Sequence, residues 1–253
     1  DQKFLQAEAK KFLEKENSAN RSRNVLDTDQ NLDKELWSKI VELGWTGIRI
    51  PEEYGGLGLG HLELCVIAEE LGRYLAPVPF SSSVYLFTEA IIKYADEEIK
   101  KEILPKLISG EVVGTLAVTE DFHAPSKENI ITEVSSELVN GKKIGVPDAE
   151  VSTHSILVTK SANGINLRLI DHAHTSVTIE HQHNIDESRG HFSIECNDTP
   201  SKLIGGEANG WELYESIINQ AAVLFSFEQI GGSQASLDMS INYAKERYAF
   251  GRP

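Results

Sequence analysis

The sequence predicts an α+β protein of several domains: an N-terminal helical domain, a middle antiparallel β-domain of barrel or sandwich type, and the start of a C-terminal helical bundle. Three observations support this prediction. Apolar residues follow a helical period up to about residue 110, alternate as in strands up to residue 204, and then return to the helical period. The chain of 253 residues is long enough for two domains or one large one.

The N-terminal domain, residues 1–111, is predicted from a series of amphipathic stretches. The first three are FLQAEAKKFLEKE, NLDKELWSKIVELG and HLELCVIAEELGRYL, and Gly44 is expected to end the second of them. Two more follow, SSSVYLFTEAIIKYA and DEEIKKEILPKLISG. Asp96 is expected to cap the last helix at its N-terminus, and Pro105 to limit or kink it.

The middle domain, residues 112–204, is predicted from short runs rich in β-branched residues, such as VVGTLAVTE, HSILVTKSANGINLRLID and TSVTIEHQ. The dipeptides Asn140-Gly141 and Asn163-Gly164 are typical of tight hairpin turns. Each is therefore expected to join two antiparallel strands of one compact β-unit.

The last part, residues 205–253, is predicted as one long helix or two, with Gly231 and Gly232 in the middle. Glycine within a helix costs about 1 kcal/mol relative to alanine, so this pair indicates close packing against another helix or a ligand. A single helix does not bury its apolar face alone. The ending YAKERYAFGRP is therefore interpreted as an internal position of a bundle. Either further helices are expected after Pro253, or another subunit is expected to supply the rest of the bundle.

The composition excludes several classes of partner. The net charge of -15 opposes binding to nucleic acid and to anionic membranes. No stretch is long and apolar enough to span a bilayer, and the opening DQKFLQAEAKKF does not resemble a signal peptide, so a cytoplasmic protein is expected by default. Cys65 and Cys196 are expected to be reduced and packed as small apolar residues.

The histidines and tryptophans are expected to be structural. His172 with His174, and His181 with His183, have the i,i+2 spacing that places two side chains on one face of a strand. Such pairs can bind metal, but polar residues on an exposed strand face are the preferred interpretation, and no metal site is predicted. The three tryptophans are expected in the core or an interface; they are Trp37, Trp45 and Trp211.

Four stretches, in order along the chain, resemble the acyl-CoA dehydrogenase family. They are LGWTGIRIPEEYGGLGLGHLELCVIAEELGR, GTLAVTE, LVNGKKIGV and FEQIGGSQASLDMSINYAKERYAFGRP. The resemblance implies a helical domain, a β-barrel and a four-helix bundle. It also implies an oxidoreductase of lipid metabolism, such as β-oxidation, that uses FAD to convert an acyl-CoA substrate to the enoyl-CoA. The implied partners are an electron-transferring flavoprotein and either identical or related subunits in a homotetramer or heterotetramer.

The resemblance implies specific cofactor contacts. Leu116, Val118 and Thr119 match positions beside the isoalloxazine ring, where the Thr119 hydroxyl would bond the pyrimidine side. Arg247 and Phe250 match the Tyr-Ala-x-x-Arg-x-x-Phe-Gly-Arg-Pro signature, in which the arginine reaches the FAD pyrophosphate of a neighbouring subunit. Two alternatives stay open, because Thr119 also fits an ordinary strand residue and Arg247 a surface charge near Glu246.

The sequence departs from the family pattern at two places beside the expected flavin. The stretch DFHAPSKEN stands where the family has a glycine-rich loop with Gly-Ser-Asp, and Ser126 is the candidate substrate contact there. After the hairpin, Gly145 and Pro147 stand where members often have tryptophan and threonine or serine. Asn219, in IINQAAVLF, is a second candidate substrate contact.

The catalytic carboxylate is implied to lie beyond Pro253 in most members of the family. A minority carry it at the position of Ala221, and alanine cannot act as a base. Glu228 lies seven residues later on much the same face of the helix, between apolar neighbours, and is the candidate base within this chain.

Four hypotheses remain open at this point. The first is a FAD-dependent acyl-CoA dehydrogenase. The second is a non-catalytic subunit of a heteromeric dehydrogenase, which the departures at Gly145 and Pro147 favour. The third is a relative of the acyl-CoA oxidases, which would pass electrons to oxygen. The fourth is a binding module made of a β-sandwich between helices, which leaves the long last helix unexplained.

Overall fold

The computed structural model describes residues 2–16, 18–28, 30–186 and 188–248. The N-terminal region is helical, as predicted. Its α-helices are α1 (Gln2–Lys15), α2 (Ser18–Leu26), α3 (Lys34–Glu42), α4 (His61–Arg73), α5 (Glu89–Tyr94) and α6 (Glu97–Ile108). Short 3₁₀ turns occupy Trp45–Gly47 and Glu52–Tyr54.

The start and end signals of these helices act largely as the sequence predicts. Asp96 caps α6, because its carboxylate accepts a hydrogen bond of 2.8 Å from the backbone N–H of Ile99. Gly44 follows α3 in the left-handed conformation, with φ of 74°. Pro105 lies inside α6, which continues to Ile108, so the proline does not end that helix at once.

The stretch SSSVYLFT differs from the regular helix predicted for it. Ser81–Thr88 is π-helical, with eight buried residues, and leads directly into α5. The wider turn brings the Thr88 hydroxyl to 2.7 Å from the backbone carbonyl of Ser83, five residues earlier. Single π-helical turns are frequent at functional sites, which directs attention to this segment.

The middle region forms one eight-stranded sheet. Its strands are β1 (Gly114–Ala117), β2 (Glu133–Ser135), β3 (Leu138–Pro147), β4 (His154–Ser161), β5 (Gly164–Asp171), β6 (Val177–Gln182), β7 (His191–Pro200) and β8 (Lys202–Ile204). Seven of them follow the order β6-β7-β3-β2-β4-β5-β8, and β1 pairs with β4. Most pairs are antiparallel as predicted, but β1 and β2 each run parallel to β4, so the sheet is mixed.

One of the two predicted hairpin turns is wrong. Asn140 and Gly141 lie inside β3, and the turn between β2 and β3 is formed by Ser136 and Glu137, both with positive φ. Gly141 is needed at a bulge instead, because a Cβ there would lie 2.8 Å from the Cα of Thr132. The other hairpin is confirmed, since Ser161 pairs with Gly164 at the start of β5.

The sheet has apolar residues on both faces. Ile156 and Val158 of β4 pack into the core shared with the helices, whereas Leu157 between them belongs to a second core enclosed by the sheet itself. This alternation follows from the two-residue period of a strand. Trp37 and Trp45 are buried in the first core and Trp211 packs against it, as predicted. Both cysteines are buried and free.

The last described element is a single helix, α7 (Gly210–Glu246), of 37 residues. It packs on α4 at a very close approach: a Cβ on Gly231 would lie 1.8 Å from the Glu69 carbonyl oxygen, and one on Gly72 would lie 2.0 Å from that of Glu228. The predicted helix contact at Gly231 is therefore confirmed. Among the described residues, no helix has the length and apolar character needed to cross a membrane.

Candidate functional site

The residues expected beside a flavin lie at the end of β1. Leu116 is buried in the main core, so its side chain is a packing residue. Val118 and Thr119 follow the strand and are half-buried. The backbone N–H of Ile144 in β3 donates to the Thr119 carbonyl at 2.8 Å, which places Thr119 beside the end of β3. We call Val118, Thr119 and Gly145 the β1–β3 shelf.

A buried ion pair supports the shelf from inside. The Lys143 ammonium lies 2.6 Å from the Glu120 carboxylate and 3.2 Å from the Val118 carbonyl oxygen. Glu120 also accepts bonds from the backbone N–H groups of Ile131 and Thr132. Burial lowers the pKa of Lys143 to about 8. Burial opposes ionisation of Glu120 too, but Lys143 and these hydrogen bonds hold the pKa of Glu120 below its usual range. The pair therefore fixes the backbone at Val118.

The outer side of the shelf is open. Gly145 has φ of 61°, and a Cβ built on it would meet no atom within 4 Å. Its N–H donates to the Gln182 side chain at 2.7 Å, and the Pro147 carbonyl accepts from the Thr115 hydroxyl at 2.8 Å. Within the described part of the chain, the Thr119 hydroxyl has no hydrogen-bond partner. The shelf is thus open beside Gly145, and none of its three residues is aromatic.

The other predicted site residues lie on separate elements. Ser126 is in the loop between β1 and β2, where its carbonyl accepts from the Asn129 N–H. Asn219 is exposed on α7. Arg247 follows the end of α7, 28 residues after Asn219 or about 42 Å of helical rise, and donates to the Tyr243 hydroxyl at 2.7 Å. Phe250 and Pro253 lie outside the described residues.

A buried polar cluster that the sequence did not predict lies beside the π-helical segment. Arg189, just before β7, donates to the Ser81 hydroxyl at 2.5 Å and the Ser82 hydroxyl at 2.9 Å. It also pairs with the Asp148 carboxylate, which accepts from Ser82 as well. Burial works against the charge of Arg189, but Asp148 raises its pKa above the ordinary value. Arg189 therefore remains charged.

Glu228 of α7 faces this cluster. Burial raises the pKa of Glu228, and although Arg189 acts in the opposite direction, the net shift is upward. Tyr85 of the π-helical segment lies next to Glu228 and makes an edge-to-face contact with Phe225, with ring centroids 5.8 Å apart. Ala221 is fully buried. The structure thus confirms a raised pKa for Glu228, which the flanking apolar residues alone had suggested.

One of the paired histidines lies elsewhere than predicted. His172 is partly buried in the turn after β5, rather than on an exposed strand face as predicted. Its Nδ1 lies 2.8 Å from the Ser152 carbonyl and its Nε2 lies 2.7 Å from the Ser155 hydroxyl. Among the described residues, no three His, Cys, Asp or Glu side chains are placed to hold a metal ion.

Comparisons with known proteins place these features in context. Residues 1–111 match the family model described as acyl-CoA dehydrogenase, N-terminal domain. The chain is 28% identical over 241 residues to mitochondrial isovaleryl-CoA dehydrogenase of Solanum tuberosum, an alignment that covers 87% of this chain and 58% of that relative. The chain therefore spans less than two thirds of that relative's length.

Two solved structures show the same fold. Butyryl-CoA dehydrogenase from Megasphaera elsdenii has a TM-score of 0.90 at 21% identity, over 100% of this chain and 70% of that one. A chain of the ChsE4-ChsE5 complex from Mycobacterium tuberculosis has a TM-score of 0.87 at 20% identity, over 100% and 68%. The predicted arrangement of a helical domain, a β-domain and a following helix is confirmed.

Proposed function

From the match of residues 1–111 to the acyl-CoA dehydrogenase N-terminal domain, we propose that the chain is part of a FAD-dependent enzyme of this family that dehydrogenates an acyl-CoA thioester between its α- and β-carbons. The product is the enoyl-CoA. The isovaleryl and butyryl groups in the names of its relatives belong to those proteins, and the acyl chain of this substrate is not assigned.

The β1–β3 shelf is the observation that supports this proposal most directly. The shelf offers the Thr119 hydroxyl, which bonds to none of the described residues, and open space beside Gly145. The buried pair of Lys143 and Glu120 holds it in place. When bound, FAD would supply the acceptor for the hydride that leaves the β-carbon. Thr119 would orient the pyrimidine side of the ring, and Arg247 would bind a pyrophosphate as a planar, charged donor.

The base that removes the α-proton must lie within hydrogen-bond reach of that carbon. Ala221 cannot supply it, and Glu228 lies about 10 Å further along α7, since seven residues rise 1.5 Å each. We therefore propose a base outside the described residues, with Glu228 as the competing candidate. Replacing Glu228 with Gln distinguishes the two: loss of at least a thousandfold in kcat, with acyl-CoA binding retained, would assign the base to Glu228.

The experiment that tests the proposed function is a visible spectrum of the purified protein, followed by anaerobic addition of acyl-CoA. We expect a bound flavin that loses its colour when the substrate reduces it. Thr119→Val should weaken FAD binding about fivefold, because one hydrogen bond is worth about 1 kcal/mol. Thr178→Val, at an exposed position of β6, is the matched control. A protein that neither contains nor binds FAD would contradict the proposal.

The alternative is a subunit without a working flavin site, which would assemble with a related subunit. Gly145 and Pro147 favour it, because they provide neither an aromatic cover nor a hydroxyl. One structurally similar chain also comes from a complex named for two proteins. In that case the protein is colourless alone and the mixture with its partner binds FAD. Under either version, an electron-transferring flavoprotein is the proposed acceptor and a homotetramer or heterotetramer the proposed assembly.

A further inference from the structure

Arg168 of β5 is a buried cation without a contact partner. It is only 8% exposed, yet none of the described residues forms a hydrogen bond or an ion pair with its guanidinium, and its Nε–H is fully buried. Glu137 and Glu207 attract it from farther away, but burial outweighs them and lowers the pKa of Arg168. Buried arginines are normally paired, because an isolated buried charge is costly. Arg168 therefore lacks an acceptor that its surroundings call for.

Arg168 lies on the face of the sheet that encloses the second core. Its cross-strand neighbours are Leu157 of β4 and Leu203 of β8. Residues directly opposite each other in an antiparallel pair share one face of the sheet, and Leu157 is buried in the second core. Because β5 is hydrogen-bonded to a strand on each side, its backbone holds the arginine at this position.

A cavity of about 530 Å³ lies beside Arg168, between β2, the β4–β5 hairpin and the segment before α7. The volume is within the range of small-molecule sites in proteins. The charged residues that line it in the described part of the chain are Glu133, Lys160, Arg168 and Glu207. All of these except Arg168 are exposed, where water and salt screen their charges. The cavity thus has a solvated charged rim and one buried cation in its inner wall.

The amide side chains of the cavity are already bonded to other groups. Asn166 donates to the Ser161 hydroxyl at 2.9 Å and accepts from the Ala208 N–H at 3.0 Å. Asn163 donates to the Glu207 carboxylate at 3.1 Å. The bonding capacity left in the inner wall is therefore that of a guanidinium, which has donors and no acceptor.

A carboxylate is the ligand group that matches this inner wall. A guanidinium presents paired N–H donors that fit the two oxygens of a carboxylate, and one carboxylate balances its single charge. Phosphate near pH 7 carries more than one negative charge. The excess charge is disfavoured, because Glu133 and Glu207 outnumber Lys160 on the rim and Glu137 also acts on Arg168. A neutral amide would leave the buried charge uncompensated.

We propose that this cavity binds a small organic carboxylate whose carboxylate group pairs with the guanidinium of Arg168. The exposed rim leaves the cavity open to solution. Its lining residues include none of the β1–β3 shelf, and binding requires neither FAD nor an acyl-CoA. The ligand class follows from the single buried cation, which selects one negative charge, and from the polar wall, which suits a polar remainder.

Calorimetric titration of the purified protein with lactate, lactamide and inorganic phosphate tests the proposal, at pH 7 and constant ionic strength without added FAD or acyl-CoA. Lactamide has nearly the shape of lactate without its charge. We expect saturable binding of lactate, at least tenfold weaker binding of lactamide, and weaker binding of phosphate than of lactate. Absence of saturable lactate binding, or equal or tighter binding of lactamide or phosphate, would overturn the proposal.

Arg168→Met separates a binding role from a structural one. Methionine removes the unpaired charge and keeps an apolar side chain in the wall, so the midpoint of thermal unfolding should not fall. Lactate binding should weaken at least tenfold. Arg168→Gln should lose binding to the same extent and remains informative if the methionine variant does not fold. Lactate should also raise the unfolding midpoint of the unmodified protein, because it binds only the folded state, and should leave that of both variants unchanged.

Two lysine variants are the matched controls. Lys160→Met removes an exposed cation of the rim and should weaken lactate binding no more than about threefold. Lys101→Met removes an exposed cation of α6, outside the residues that line the cavity, and should bind as the unmodified protein does. Lactate binding that survives in a folded Arg168 variant, or that depends on Lys101, would contradict the assignment.

Discussion

At the scale of single residues, glycines set the distance between α4 and α7. Gly72 and Gly231 face the backbone of the opposite helix so closely that no side chain fits between them. The next residue, Gly232, has ordinary space, since a Cβ there would lie 3.6 Å from the Gly72 carbonyl oxygen. Two neighbouring glycines with the same sequence signal therefore have different structural roles.

Gly231→Ala is expected to destabilise the protein by about 2–3 kcal/mol, the upper part of the range for overpacked sites, because its Cβ would overlap the Glu69 carbonyl. Gly232→Ala is the matched control and should be neutral or stabilising by up to about 1 kcal/mol, through its higher helix propensity. Urea unfolding of both variants measures the difference. Equal free energies of unfolding in the two variants would contradict the close contact.

His172 is expected to make the protein sensitive to acid. Burial lowers its pKa in the folded state from 6.5 to about 4. Between pH 6.5 and 4 the unfolded chain therefore takes up a proton that the folded chain refuses, and the free energy of unfolding falls as the pH falls. The size is about 3 kcal/mol over this window, at about 1.4 kcal/mol for each unit of pKa.

Urea unfolding between pH 7 and pH 4 checks this expectation. His172→Gln should reduce the dependence on pH, whereas His174→Gln, at an exposed position in the same turn, should leave it unchanged. A pH dependence that is the same in both variants would show that His172 is not responsible.

At the scale of elements, local signals decide where helices begin. Asp96 and Asp33 both accept a bond from the backbone N–H three residues on, at 2.8 Å. Asp96→Ala should cost about 1 kcal/mol, because α6 loses this capping bond. Asp96→Asn keeps the acceptor and is the control, expected within about 0.5 kcal/mol of the unmodified protein. Thermal unfolding of the two variants separates capping from a general effect of substitution.

Strand register, by contrast, is decided by packing rather than by local turn chemistry. The Asn140-Gly141 pair is a strong hairpin signal, yet β3 runs through it. Val139 and Val146 of β3 are fully buried in the core that the sheet encloses, so a turn at residue 140 would remove one of them from that core. The burial of both residues outweighs a turn preference worth about 1 kcal/mol or less.

At the scale of the whole molecule, the sheet and the helices share one core. Ile156, Val158, Leu167 and Leu169 face the helices from the outer side of the sheet and are 0–5% exposed. The residues 112–204 produced alone should therefore aggregate or bind an apolar dye such as 1-anilinonaphthalene-8-sulfonate, because this surface would be open to water. A monomeric fragment with a cooperative unfolding transition and no dye binding would contradict this. The predicted domain boundaries stay a prediction until then.

The sequence by itself determined the order of helical and β regions, the caps at Asp96 and Gly44, and the resemblance to acyl-CoA dehydrogenases, because these depend on short-range periodicity and local motifs. It also directed attention to Thr119 and Glu228, but it did not predict the cluster at Arg189. Asp148 and Arg189 are 41 residues apart and have no local pattern in common. Only the tertiary structure brings them to Ser82 and beside Glu228. The burial that makes Arg189 and Asp148 partners is a property of the folded chain.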